Sequence, residues 1–174
     1  MNIRPATPAD ALSIGTVRCT AWRHAYEGLI PREILDHLDP REDVPRFLPV
    51  LVDPDGIFLV AEEEGEVTGF LFGGANRDLE PSPYEGEIYA LYVLPPRQRR
   101  GTGTALLDRF AQAWVSRGRW SALAWVLEKN PYEDFFPRSG ARPLDRREIL
   151  LEGTPLSVRG YGFQDLRGRG EGGR

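Results

Sequence analysis

The chain has 174 residues, a formal net charge of −4, 41 % hydrophobic residues and a single cysteine. That length suits one domain with a sizeable core, and the scattered basic residues give no nucleic-acid footprint. Cys19 alone excludes an intrachain disulfide and argues against a cysteine metal site, and no apolar run reaches membrane-spanning length.

The N-terminal stretch lacks an apolar signal region, so a soluble, cytoplasmic protein is expected. Ile3 and Arg4 read as the end of a short first strand. Thr7-Pro8-Ala9-Asp10 then supplies an N-cap, a first-turn proline and an acidic first turn. Ile14, Val17 and Ala21 continue at helical spacing, which predicts a helix over 8–23. Aromatic residues crowd its exit, where Gly28 and Pro31 break regularity. Trp22 and Tyr26 either anchor this junction to the core or wall an acceptor site. His24 and His37 have no spacing partners and read as structural or surface residues.

Pro31 to Leu38 suggests a second short helix with Ile34, Leu35 and Leu38 buried. Region 41–52 has helical character, but Pro45 and Pro49 argue against one unbroken helix. Ile57 to Ala61 and Val67 to Phe72, joined by Glu62-Glu63-Glu64-Gly65, predict a hairpin. Asn76 to Gly86 reads as a surface loop, and Glu87 to Val93 as a central strand. A helix to about Arg117, a strand from Ser121 to Leu127 and a short helix from Pro131 to Arg138 follow. Glu148–Leu151 and Leu156–Phe163 form a closing hairpin around Gly153-Thr154-Pro155. Residues 167–174, glycine and arginine with one glutamate, are expected to be a disordered tail behind a single domain over 1–166.

The segment from Leu91 to Leu107 carries the chemistry. An apolar strand turns at Pro95-Pro96, crosses a basic loop with Gly101 and Gly103, and enters a helix whose Gly103, Leu107, Phe110 and Trp114 share a face. The first-turn N–H groups of such a helix have no intrahelical partners and sit at the positive end of its dipole, which suits phosphate. Arg97, Arg99 and Arg100 add matching charge. The spacing is not the dinucleotide fingerprint, because the third glycine position falls on Leu106. No Gly-Lys-Ser/Thr follows, so it is not a P-loop.

Gln98-Arg99-Arg100-Gly101-Thr102-Gly103, preceded by a strand ending Tyr-Val-x-Pro and followed by Thr104-Ala105-Leu106-Leu107, resembles the Q/R-x-x-G-x-G/A signature of the GNAT acyltransferases. The order of elements is similar over nearly the whole chain. The resemblance implies an α/β (α+β) fold with a mixed sheet of about six to seven strands, splayed at the cofactor site. It implies acetyl-CoA as cofactor, with the loop amides on its pyrophosphate and the main chain of Leu91, Tyr92 and Val93 along its pantetheine arm. The Trp22…Tyr26-x-Gly28-x-Ile30-Pro31 passage resembles one that lines the acceptor groove in a subgroup of the family.

A similar glutamate at the spacing of Glu87 serves as general base in the histone-acetylating branch, which implies Glu87 as base here, acting through water; a carboxylate opening an apolar strand is also, simply, a solvated strand end. Tyr89 would share the Glu87 face and point to the acceptor pocket or the core. After the strand ending near Leu127, the family motif Asn-x-x-Ala-x-x-Phe-Tyr-x-x-x-Gly-Phe is matched at Asn130, Phe135 and Gly140, one residue shorter. Phe136 stands at the thiolate-protonating tyrosine, and Tyr132, one turn earlier, is the candidate substitute.

The implied function is N-acetyl transfer from acetyl-CoA to a primary amine on a small molecule or protein. The alternative is a non-catalytic acyl-CoA-binding sensor, motivated by Phe136. Glu27, Glu80 and Glu85 near the presumed groove favour a cationic acceptor. The resemblance also allows a homodimer formed through the late strands.

Overall fold

Apolar runs buried on both faces dominate four antiparallel strands: β1 (Asn2–Pro5), β2 (Ile57–Glu63), β3 (Glu66–Ala75) and β4 (Gly86–Val93) pair in the spatial order β1-β2-β3-β4. The computed structural model describes residues 1–78 and 82–169. Beyond β4, β5 (Ala122–Leu127) adds in parallel, and β7 (Thr154–Phe163) and β6 (Arg142–Leu151) complete a seven-stranded sheet ordered β1-β2-β3-β4-β5-β7-β6. Glu64 and Gly65 at φ 54° and 82° form the two-residue turn between β2 and β3, the backbone hand that matches strand twist.

Helices cover both faces. α1 (Ala11–Ala25), α2 (Arg32–Asp36) and α3 (Pro40–Leu51) lie on one side, where Ile14, Val17, Phe47 and Leu51 pack against Phe58 and Phe70. α4 (Thr102–Ser116) and the single turn α5 (Phe135–Arg138) lie on the other, with Leu106, Phe110, Trp114 and Phe136 in the main core. α1 and α3 touch at Gly15, where a Cβ would stand 2.6 Å from the Pro40 carbonyl oxygen. No helix among the described residues is long and apolar enough to cross a membrane.

The β3–β4 register shifts between Phe72 and Gly73: Phe72 opposes Ala90 while Gly73 opposes Ile88, leaving Tyr89 as the extra residue of a bulge. Such a bulge flips the alternation of the strand. Before it, Ile88 faces α4; after it, Leu91 and Val93 do, while Ala90 and Tyr92 face α1. Tyr89 and Ala90 thus lie in succession on the α1 face, Tyr89 against Phe72 with ring centroids 4.9 Å apart.

Several elements differ from the sequence reading. α3 is one continuous helix through Pro45 and Pro49. Each proline removes a hydrogen bond, but Phe47, Val50 and Leu51 dock on the core and buried Asp43 holds Arg18 at 2.6 Å, which offsets the loss. β6 runs over ten residues rather than four; as a sheet edge exposed along most of its length, its charged sequence hides the period of two. The β6–β7 turn falls on Glu152 and Gly153, both at positive φ, and Pro155 lies inside β7. Of the expected tail, 167–169 form a turn held by Arg169, which bonds Asp108 at 3.1 Å and the Ser139 carbonyl. Residues 170–174 lie outside the described residues.

Candidate active site

β4 and β5 pair only at Gly86–Ala122, Glu87–Leu123 and Ile88–Ala124, then separate. From Tyr89 to Val93 on one side and Trp125 to Leu127 on the other, the backbone groups facing across the gap have no strand partner. A cleft of about 420 Å³ fills the opening. β4 lines it with Leu91, Tyr92 and Val93, and β5 with Ala124, Trp125 and Val126. Ala21, Ala25 and Tyr26 close it from α1; Asn130, Tyr132, Phe135 and Phe136 close it from the segment after β5.

The basic loop forms the mouth. Gln98 donates from Nε2 to the Val93 carbonyl at 2.9 Å, fastening the loop to the strand end. Arg99 (φ 57°) and Gly101 (φ 87°) take left-handed conformations that lead the chain into α4. The first bond of α4 is Ala105 N–H to the Gly101 carbonyl at 2.9 Å, so the amides of Thr102, Gly103 and Thr104 precede the helical ladder and lack intrahelical acceptors. Gly101, Gly103, Thr104, Gln98 and Arg99 border the cleft; Arg100 and Thr102 do not. Thr102 is buried and donates its hydroxyl to the Arg97 carbonyl at 3.3 Å, while Arg100 is exposed.

Two sequence expectations about this loop need revision. Arg97 is not a phosphate ligand in waiting, because its guanidinium is 3.2 Å from Glu63. Gly103 admits more than an anion: a Cβ there would meet the Phe135 ring at 3.1 Å, so the glycine also seats α5 against α4. At the mouth, Arg138 pairs with Asp134 at 3.4 Å, and both line the cleft with Arg99. Asp134 is the only carboxylate among the described lining residues, and the lining as a whole is cationic. Sequence reasoning missed Arg138, whose neighbours in the chain carry no phosphate pattern.

Glu87 departs most from expectation. The residue is 3 % exposed and does not border the cleft. Arg77 binds it from Nη2 at 2.7 Å and Nε at 3.2 Å, and the Arg77 backbone N–H adds a third bond at 3.2 Å. Both oxygens are thus occupied, and direct deprotonation of an amine in the cleft by Glu87 does not fit this geometry. The Arg77 guanidinium also lies 3.7 Å from the Tyr89 ring centroid. Tyr89 does line the cleft, its hydroxyl donating to the Ala75 carbonyl, and burial pushes its phenol above the ordinary range.

The Tyr26 and Tyr92 hydroxyls are 3.4 Å apart across the α1–β4 contact, and burial strongly raises the Tyr26 phenol. Trp22 does not border the cleft; it packs against Tyr26 with ring centroids 5.2 Å apart. Asn130 shapes the turn after β5, donating to the Leu127 carbonyl and accepting from Tyr132 N–H at 2.8 Å. Tyr132 sits in the cleft wall, its ring 6.3 Å from that of His24 at the end of α1. Phe136 is buried and stacked on Tyr161 at 6.3 Å, and Tyr161 donates to Glu133 at 3.0 Å.

The presumed acidic groove is absent from the described residues. Glu27 is exposed outside the cleft, and Glu85 accepts from Trp120 N–H at 3.0 Å, away from it. Glu80 lies outside the described residues. Instead, Trp125, unremarked in the sequence, faces the α1 side of β5, opposite Ala124. Arg147 of β6 covers its ring at 3.8 Å and is held at 2.6 Å by Asp78, the neighbour of Arg77.

The residues fit a bound coenzyme A. The open strand edge suits an amide-bearing arm, the free helix amides suit a pyrophosphate, and the lining is cationic at the loop. The model of the acetyltransferase (GNAT) family matches residues 19–139. The chain is 32 % identical to the uncharacterized N-acetyltransferase YuaI of Bacillus subtilis over 95 % of this chain and 94 % of that protein. It is 37 % identical to the aminoglycoside N(6')-acetyltransferase type 1 of Stenotrophomonas maltophilia over 66 % of this chain and 67 % of that protein. Its fold is similar to that of yncA, a putative acetyltransferase from Salmonella typhimurium solved with acetyl-CoA (TM-score 0.70, 23 % identity, 94 % of this chain and 93 % of that one).

Proposed function

The chain belongs to the GNAT acetyltransferase family, and from that premise we propose that it acetylates a primary amine by direct attack in the cleft between β4 and β5. It is an acyl-CoA-dependent acetyltransferase, and acetyl-CoA is its cofactor. The observation that carries the proposal is the separation of β4 from β5 after Ile88 and Ala124, which leaves an unpaired strand edge running to a helix N-terminus with free amides.

When bound, acetyl-CoA supplies the acetyl group as a thioester. The Gly103 and Thr104 amides and Arg99 would hold its pyrophosphate, and main-chain groups of Leu91, Tyr92 and Val93 would align its arm and polarise the thioester carbonyl. Amine attack requires the free base. Among the described residues the inner cleft offers phenols and backbone but no carboxylate, which supports loss of the amine proton to solvent over direct transfer to Glu87. Tyr132, in the cleft wall, would give a proton to the departing sulfur; Phe136, which has no hydroxyl, cannot. The naming of a relative as an aminoglycoside N(6')-acetyltransferase supports a primary amine as acceptor. The open edge of β6 supports pairing with a second copy of the chain.

The test is acetyl-CoA consumption, read as thiol release, over a panel of primary amines. Amine-dependent release supports the proposal. Binding of acetyl-CoA without turnover of any amine supports instead a sensor, the reading that the missing hydroxyl at Phe136 favours.

A further inference from the structure

The acceptor end of the cleft is walled by Ala21, Ala25, Tyr26, Tyr89, Trp125 and Tyr132. Four of these six carry aromatic rings and two carry only a methyl group. The cleft's one carboxylate among the described residues, Asp134, is on the α5 side and paired with Arg138. Behind the wall stand two cations: Arg77 lies 3.7 Å from the Tyr89 centroid, and Arg147 lies 3.8 Å from that of Trp125. Each is fixed by a carboxylate outside the lining, Arg77 by Glu87 at 2.7 Å and Arg147 by Asp78 at 2.6 Å.

We propose, resting on the acetyl-transfer reading above, that the acceptor is a monoamine with a planar aromatic body, and that Trp125 is the residue that selects it. An aromatic body buries a large apolar area against such a wall and gains further from ring–ring geometry. The reacting ammonium, a single charge, is accommodated by π faces before it loses its proton. A second or third ammonium on the same molecule would be stripped of water against a wall with no anion among its described residues to receive it, since Glu87 and Asp78 are already taken up by Arg77 and Arg147. The chain's overall negative charge does not bear on this, because among the described residues only Asp134, paired with Arg138, lines the cleft. Trp125 is the largest ring in the wall, and its other flank is set: a Cβ at Gly160 would lie 3.1 Å from its six-membered ring, so β7 fixes its tilt.

The experiment compares kcat/KM for 2-phenylethylamine and spermidine with the full chain and acetyl-CoA, for wild type, Trp125→Ala and Trp125→Phe. Wild type should favour 2-phenylethylamine by roughly tenfold or more. Trp125→Ala should lower its kcat/KM by about tenfold and leave the acetyl-CoA Kd within about threefold, while Trp125→Phe retains most of the preference. A wild type that prefers spermidine, or a Trp125→Ala variant of unchanged selectivity, overturns the inference and leaves acetyl transfer to an amine intact. Acetyl-CoA binding with no turnover of either amine or of a wider panel overturns both. If Trp125→Ala does not fold, the wild-type ratio and the Trp125→Phe variant still decide.

Discussion

Glu87 and Arg77 form a two-point ion pair at the end of the β3–β4 connection, with Nη2–Oε1 at 2.7 Å and Nε–Oε2 at 3.2 Å. The carboxylate is buried and the guanidinium lies against Tyr89, so the pair fixes the wall of the cleft rather than entering it. Glu87→Gln should therefore leave the shape of the kcat/KM pH profile unchanged, rising about tenfold per pH unit until the acceptor ammonium is deprotonated. An ascending limb that disappears in Glu87→Gln would restore Glu87 as base. Arg77→Ala removes two hydrogen bonds from a buried carboxylate while opening it to water, and should cost about 1–2 kcal/mol in urea unfolding.

Gly103 and Phe135 supply a second test. A methyl at Gly103 meets only the edge of a ring, at 3.1 Å. Gly103→Ala should displace the ring by a few tenths of an ångström and change stability by less than about 1 kcal/mol, since a flexible neighbour relieves the overlap. Acetyl-CoA affinity should fall by no more than about fivefold, because the helix amides are retained.

Tyr132 and Phe136 separate chemistry from packing. Tyr132→Phe should lower kcat by about tenfold or more while leaving the acetyl-CoA Kd unchanged. The reciprocal change, Phe136→Tyr, adds a hydroxyl where the ring is stacked on Tyr161 and edge-on to Phe163. It should destabilise by about 1–3 kcal/mol without raising kcat. A faster Phe136→Tyr enzyme would place the proton donor at that position instead.

The loop and the element order were legible in the sequence because their signals are local. The glycines at 101 and 103, the prolines before them and the periodic apolar face of α4 lie within a few turns of one another. What was not legible depends on partners distant in the chain. The bulge at Tyr89 exists only in register with Phe72 and Gly73, and it decides which side chains enter the cleft. Arg77 meets Glu87 because the β3–β4 connection doubles back, and Trp125 meets Arg147 because β7 and β6 follow β5 in the sheet. The two prolines of α3 defied propensity because tertiary packing outweighs it at that helix.

Alkaline pH probes the packing behind the cleft. Burial, then the hydrogen bond to Glu133, pushes the Tyr161 phenol from its ordinary value of 10.0 up to about 12. The folded chain thus keeps this proton where the unfolded chain gives it up. The stabilisation is full below pH 10 and declines as pH rises toward about 12. Urea midpoints should fall over that window, and Tyr161→Phe should make the fall shallower. An identical alkaline decline in the variant would assign it to other groups.

The most direct measurement is calorimetric titration of acetyl-CoA into the wild type and a Gly103→Glu variant whose circular dichroism matches it. The new carboxylate stands at the free amides of α4 and should repel a pyrophosphate held there. One-site binding by the wild type, weakened at least about tenfold in the variant, is the predicted result. Equal binding by both proteins would contradict the account, placing the cofactor away from this loop and cleft.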